Sequence, residues 1–173
     1  TGRSSVAGNR DLPEDGRYVV GYNPAVEADD TLLVGRVAAV DGTIRAILVN
    51  YACHPTTLAW QNTLVSPDFP GEMREVVESA TGAPCLFLQG ASGDLAPREQ
   101  YTGDVAVADR HGRSLGHSVL ATLAEMPSPG AELACLVIVE SGAPLAVWGP
   151  RPAELPRDAG ASRLDVPVAL KDD

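Results

Sequence analysis

Three polar residues stand where an α/β protein acts on a ligand: His54, Asp68 and Asp94. His54 closes a strongly apolar run at Cys53-His54-Pro55, where Pro55 cannot donate to a strand ladder and biases His54 toward extended backbone. Asp68 lies in Ser66-Pro67-Asp68-Phe69-Pro70-Gly71-Glu72, just ahead of a helical pattern. Asp94 ends the loop Gly90-Ala91-Ser92-Gly93-Asp94, which follows a second apolar run. In open α/β sheets the crevice beyond the carboxyl ends of the strands is the usual ligand site. A neutral imidazole with carboxylates close by suits zinc. Each residue also has a structural reading. His54 fits a turn histidine satisfied by backbone groups, Asp68 a helix N-cap, and Asp94 an acceptor for the amides of its own loop.

Other chemistry fails on spacing. The loop at 90–94 has no Gly-Lys-Ser/Thr, so it does not cradle phosphate. It reads G-x-S-G rather than G-x-S-x-G, and no triad partner can be assigned to Ser92 as a nucleophile. His111 and His117 are six residues apart, on different sides of a helix, and read as solvated or packing residues. Cys53, Cys85 and Cys135 form no C-x-x-C and are odd in number, which argues against a disulfide scaffold; each sits in an apolar run as a small buried hydrophobe.

The elements that must position these residues can be read from periodicity. Residues 32–40 and 43–53 are β-rich runs around Asp41-Gly42, a dipeptide suited to the positive φ angles of a tight hairpin turn. The run at 44–51 is almost continuously apolar, as expected of a strand covered on both faces. A helix then starts at the Ser or Asp cap with an early proline, carries Met73, Val76, Val77 and Ala80 as one stripe, and stops at Gly82. Residues 84–88 form a short buried strand. A second helix spans 105–126, capped by Asp104, with Ala108, Gly112, Leu115, Val119 and Leu123 inward. Further strands are expected at 132–140 and 145–148. The alternation predicts an α/β fold, a mixed β-sheet with packed helices. Composition changes near Gly142, giving a main segment at 1–143 and a Pro-rich edge or linker at 144–173.

With 173 residues, 45% of them hydrophobic and 21% charged, the chain has the profile of a soluble globular domain rather than a disordered chain or coiled coil. No apolar run approaches the ~20 residues of a transmembrane helix. The net charge is −10 and no segment is basic, which argues against nucleic acid as a partner. The first nine residues carry no signal peptide pattern, and neither compartment nor oligomeric state is legible.

Five words recur in a familiar order: Gly8-Asn9-Arg10, Tyr22-Asn23-Pro24, Asn50-Tyr51-Ala52-Cys53-His54-Pro55-Thr56-Thr57, Asn62-Thr63-Leu64-Val65-Ser66-Pro67-Asp68-Phe69-Pro70-Gly71, and Phe87-Leu88-Gln89-Gly90-Ala91-Ser92-Gly93-Asp94-Leu95-Ala96-Pro97. Their order, over roughly residues 8–125 of a single-domain-sized chain, resembles the neutral/alkaline non-lysosomal ceramidase family. The resemblance implies a zinc-dependent hydrolase that cleaves the amide bond of ceramide or a related lipid or small-molecule amide. His54 matches a zinc-binding histidine of that family and Arg10 a substrate-site arginine, while Asp94 would orient the loop or a water. The family's proposed serine nucleophile falls at Ala96, which has no hydroxyl, so attack by a metal-activated water is the expected route. The remaining zinc ligands of the family fall outside the matched words. The resemblance therefore implies an internal piece of a longer hydrolase that neither holds zinc stoichiometrically nor turns over ceramide by itself. The alternative class is a non-catalytic binding or structural domain that keeps the fold.

Overall fold

The computed structural model describes residues 1–128 together with two short strands, Cys135–Val137 and Ala146–Trp148. In chain order the elements are β1 (Gly2–Arg3), β2 (Ala7–Asn9), β3 (Asp11–Glu14), β4 (Arg17–Val20), β5 (Thr31–Ala38), β6 (Ile44–Tyr51), α1 (Phe69–Thr81), β7 (Cys85–Gln89), β8 (Leu95–Pro97), α2 (Val105–Glu125), β9 (Cys135–Val137) and β10 (Ala146–Trp148). The chain divides into two compact units, Thr1–Pro129 and Gly130–Asp173. In the second unit β9 and β10 pair antiparallel, Val147 opposite Leu136. The segment boundary expected at 143/144, and most of the strand expected at 132–140, lie outside the described residues.

The first unit is the mixed α/β arrangement expected: a four-stranded sheet of order β1-β5-β6-β7 with two helices against it. β5 and β6 form the antiparallel hairpin, and β6 pairs parallel with β7 after the crossover through α1. The hairpin turn differs from the expected one. Only Gly42 has positive φ, at 85°; Asp41 instead accepts the Thr43 amide on its side chain. Gly42 N–H bonds back to Ala39, so this is a three-residue loop rather than a two-residue one. Asp15-Gly16, between β3 and β4, takes positive φ at both residues, 48° and 77°, as a two-residue turn of that kind does.

The helices form where their caps and stripes place them. Asp68 caps α1 and Gly82 ends it in the left-handed conformation; Asp104 caps α2 and accepts the Ala106 amide. α1 buries Phe69, Pro70, Met73 and Val77, but Ala80 is exposed, so the apolar stripe stops a turn early. The core lies between the sheet and the two helices, and contains Leu32, Ile47, Val49, Tyr51, Phe69, Met73, Leu115 and Val119. The helices approach closely because α2 turns Gly112 and Gly116 toward α1. A Cβ on Gly112 would stand 2.6 Å from the Phe69 carbonyl oxygen.

Burial of β6 and β7 on both faces is not observed. Ile47, Val49 and Tyr51 are fully buried on the helix side, whereas Leu48 is half-buried and Leu86 and Leu88 on β7 remain 47% and 48% exposed. The physical reason is that both helices lie on one face and, among the described residues, no layer covers the other. Nor is any helix among them long and apolar enough to cross a membrane.

Candidate functional site

Parallel pairing of β6 with β7 brings the carboxyl ends of the two strands side by side, with Tyr51 opposite Gln89. The chain beyond β7 then folds back along the chain beyond β6. Gly90 N–H donates to the Tyr51 carbonyl, and a Cβ at Gly90 would sit 2.9 Å from the Ala52 nitrogen, so this close approach needs glycine. Gln89 secures the fold-back, its Nε2 donating to the Cys53 carbonyl at 3.1 Å and to Ser92 Oγ at 2.6 Å.

His54 is held within this arrangement by three contacts. Its backbone N–H donates to the Leu95 carbonyl, and its ring Nδ1 lies 2.7 Å from the Ser92 carbonyl and 3.2 Å from that of Leu95. Carbonyl oxygens only accept, so Nδ1 carries a proton, and in the neutral ring Nε2 holds the lone pair. Nε2 has no hydrogen-bond partner among the described residues, and the ring is half-buried. A metal-ligating histidine commonly donates its other ring N–H to a carbonyl in this way.

Arg10 and Asp94 belong to the same loop system. β2 pairs antiparallel with β8, Gly8 opposite Ala96 and Asn9 opposite Leu95. Arg10 N–H donates to the Asp94 carbonyl at 2.8 Å, and its Nε and Nη2 both donate to the Gly93 carbonyl, at 3.0 and 2.9 Å. That chelate leaves Nη1 uncommitted among the described residues. Asp94 is exposed and accepts one bond, from Asn9 Nδ2 to its Oδ2 at 3.0 Å. Residues 92–95 thus gather His54, Arg10 and Asp94 on one loop.

Asp68 is used differently. Its Oδ1 accepts the Phe69 amide and its Oδ2 the Leu58 amide, both at 2.7 Å, so it ties the β6–α1 connection to the start of α1. It does so with φ 56° and ψ −149°, a region costly for any residue with a side chain. Ser92 is buried and its hydroxyl already accepts from Gln89, and Ala96 is buried in β8. His111 packs against the His-Pro-Thr-Thr word, its Nδ1 3.1 Å from Thr57 Oγ1; burial, with the Arg110 charge, pushes its pKa down. His117 is exposed. Cys53 and Cys85 are free and buried, and burial pushes both thiols up, Cys85 to about 11. A shallow cavity of about 280 Å³ lined by Ser5, Arg98, Arg110 and His111 does not include His54.

Asn9, Gln89 and Asn23 escaped the sequence reading. Asn9, 4% exposed, bonds Asp94 and the Asp11 amide, and Asn23 braces the same strand by donating to the Asp11 carbonyl. The available signal was that Asn9, Asn23 and Gln89 each sit inside one of the recurring words.

Solved structures are similar to this chain in fold. A ceramidase complexed with C2 superposes with a TM-score of 0.54 at 16% identity, over 69% of this chain and 20% of that one. The neutral ceramidase from Pseudomonas aeruginosa gives 0.55 at 17% identity, over 72% and 22%. The fold is ceramidase-like. This chain spans about a fifth of the length of those structures. No family model matches the sequence, and no curated protein matches it.

The donors present fit zinc only in part. His54 has the tautomer a ligand needs, but no group of three His, Cys, Asp or Glu residues that could hold a metal occurs among the described residues. A catalytic zinc takes three protein ligands.

Proposed function

We propose that this chain belongs to a ceramidase-like hydrolase of lipid or small-molecule amides, and that it supplies one zinc ligand, His54, and one face of the substrate site. The observation that supports this reading is the His54 ring, fixed through Nδ1 by the Ser92 carbonyl at 2.7 Å, on the same 92–95 loop that Arg10 holds through Gly93 and Asn9 through Asp94. Arg10, clamped through Nε and Nη2 on Gly93, offers its remaining donors to a polar group of the substrate. Asp94, with Oδ2 held by Asn9, keeps Oδ1 for a water or a substrate hydroxyl. Alanine at position 96 offers no nucleophile, and the chemistry zinc supplies when bound is Lewis acidity and an acidified water. The other ligands come from outside the described residues.

The test is hydrolysis of short- and long-chain N-acyl amides by the protein that carries this chain, with and without chelator. His54→Ala is expected to remove most of the activity, because a lost ligand weakens the metal site and misplaces its water. Full activity in chelator would end the metallohydrolase reading. A protein that folds, binds a lipid amide and turns over nothing would favour a non-catalytic domain, the reading to which Ala96 lends support.

A further inference from the structure

One side chain touches both partners of the bond that orients the His54 ring. That bond runs from Nδ1 to the Ser92 carbonyl at 2.7 Å. Gln89, the last residue of β7, donates its amide hydrogens to the Cys53 carbonyl at 3.1 Å and to Ser92 Oγ at 2.6 Å. A carboxamide nitrogen has two hydrogens, and both are used. The Cys53 carbonyl belongs to the peptide that leads into His54, so the first bond fixes the point from which the ring hangs. The second fixes the residue whose carbonyl receives the ring proton. Cys53 is fully buried and Ser92 is 6% exposed, so the amide reaches inward from an exposed strand end to two buried residues. Packing does little to hold the turn, since Ser92 stands between Ala91 and Gly93, and a Cβ on Gly93 would meet nothing within 4 Å. The Leu95 amide also bonds the Ser92 carbonyl, at 2.9 Å, but it belongs to the same turn and moves with it. Arg10 and Asn9 hold the turn from the β2 side, at Gly93 and Asp94, and Gln89 holds it from the β6 side, at Ser92.

We propose that Gln89 is the positioning residue of His54: by holding Cys53 and Ser92 together, it keeps the proton of the neutral ring on Nδ1 and the lone pair on Nε2. The hydrogen bond made by one ring nitrogen decides which form the imidazole takes and which nitrogen is left for a metal. Without the amide, the Ser92 carbonyl is free to turn away, and the ring carries its proton on either nitrogen. The form protonated on Nε2 has no lone pair there to offer. The consequence for a metal rests on the reading of His54 as a ligand, whereas the tautomer is a property of this chain alone. Every group in the relay lies between residues 53 and 92.

The tautomer is read with neither metal nor turnover. The 173-residue chain, labelled with nitrogen-15 at histidine, is followed by long-range proton–nitrogen correlation at about pH 8.5, where imidazole is ordinarily neutral. The His54 signals are those lost in His54→Ala. The parent should show one form, with the proton on Nδ1. Gln89→Met keeps the length of the side chain and removes both donors. It should bring in the form protonated on Nε2 and make the Nδ1 proton exchange with water roughly tenfold faster. Ser92→Ala, which removes one of the two bonds and keeps the carbonyl, should shift both readings in the same direction by less. Gly116→Ala, whose Cβ would stand 2.8 Å from Val76 Cβ at the helix interface, controls for lost stability and should keep the parent form. A parent ring protonated on Nε2, a Gln89→Met chain with the parent form and exchange rate, or the same change in Gly116→Ala would overturn the proposal. In the protein that carries this chain, Gln89→Met should weaken zinc binding about 10–100-fold. Zinc binding unchanged there but lost in His54→Ala would also overturn it, whereas zinc binding unchanged in His54→Ala would overturn the ligand reading and leave the tautomer result in place.

Discussion

Tyr51→Phe tests how the core and the candidate site are connected. The Tyr51 ring is fully buried under α1 and α2, and its hydroxyl bridges two backbone groups of the N-terminal segment. It accepts the Ala7 amide at 2.9 Å and donates to the Ser4 carbonyl at 2.8 Å. Ala7 opens β2, and the next three residues deliver Asn9 and Arg10 onto the 93–94 loop. Phenylalanine fills the same space without the oxygen, so the change removes one hydroxyl and strands one buried donor and one buried acceptor. An orphaned buried group costs about 1–3 kcal/mol, and no longer burying the hydroxyl offsets part of this, which leaves a net loss of about 2–3 kcal/mol. For a chain of this length that is a fall in thermal midpoint of about 5–10 °C. The assay is thermal unfolding followed by circular dichroism, with amide exchange measured at Ala7 and Arg10. Faster exchange at both, ahead of the core strands, is the expected local signature. Ser4→Ala is the control: Ser4 Oγ is buried with no partner, so its removal should leave the midpoint unchanged or raise it. A midpoint for Tyr51→Phe within 1 °C of the parent (well under the ~2 °C expected of even a 1 kcal/mol loss), together with unchanged exchange at Ala7, would refute the bridge as the tie between core and site.

Two further outcomes follow from packing and from buried acids. Gly112→Ala places a Cβ 2.5 Å from Glu72 Cβ and 2.9 Å from the Met73 nitrogen, so α1 must move; denaturant titration should show a loss of about 1–3 kcal/mol despite the ~1 kcal/mol gain in helix propensity. Gly93→Ala, which meets nothing within 4 Å, should show no such loss. Burial raises Tyr51 to about 12, Cys85 to about 11, and Cys53 in the same direction. The unfolded chain therefore ionises first as pH rises. Stability should be level below pH ~9 and then fall toward pH ~12, by up to about 1.4 kcal/mol per unit for each group titrating. Thermal midpoints that hold steady or climb from pH 9 to 11 would contradict it.

What the sequence showed of the fold was what local chemistry decides. Caps at Asp68 and Asp104, the stop at Gly82 and the strand runs on either side of residues 39–43 each act within a few residues, and all appear in place. The misread features depend on something distant. An apolar run such as 44–51 has the same composition whether one or two layers cover it, so the exposed side of β7 could not be foreseen from it. Ala80 has the right spacing for the α1 stripe but stands exposed one residue before the helix ends. The N-terminal thirty residues gave no periodicity, because β1 to β4 are only two to four residues long; β1 and β2 form against β5 and β8, far along the chain, while β3 and β4 pair with each other across Asp15-Gly16.

The site was legible to the extent that topology makes it so. A strand, a helix and a second strand parallel to the first must present both carboxyl ends on one side, which is why His54 and the 90–94 loop meet. The ties between them were hidden because most run to main-chain oxygens. His54 binds the carbonyls of Ser92 and Leu95, and Arg10 binds those of Gly93 and Asp94. Any residue at those positions offers the same acceptor, so no side-chain pattern could announce it. The side chains that do carry information are the ones that place the carbonyls: glycine at 90, where a Cβ would strike Ala52, and Gln89, whose amide pins Ser92. The carbonyls of Ser92 and Leu95 accept from Nδ1, so the fold itself decides which nitrogen of the neutral His54 ring keeps the lone pair.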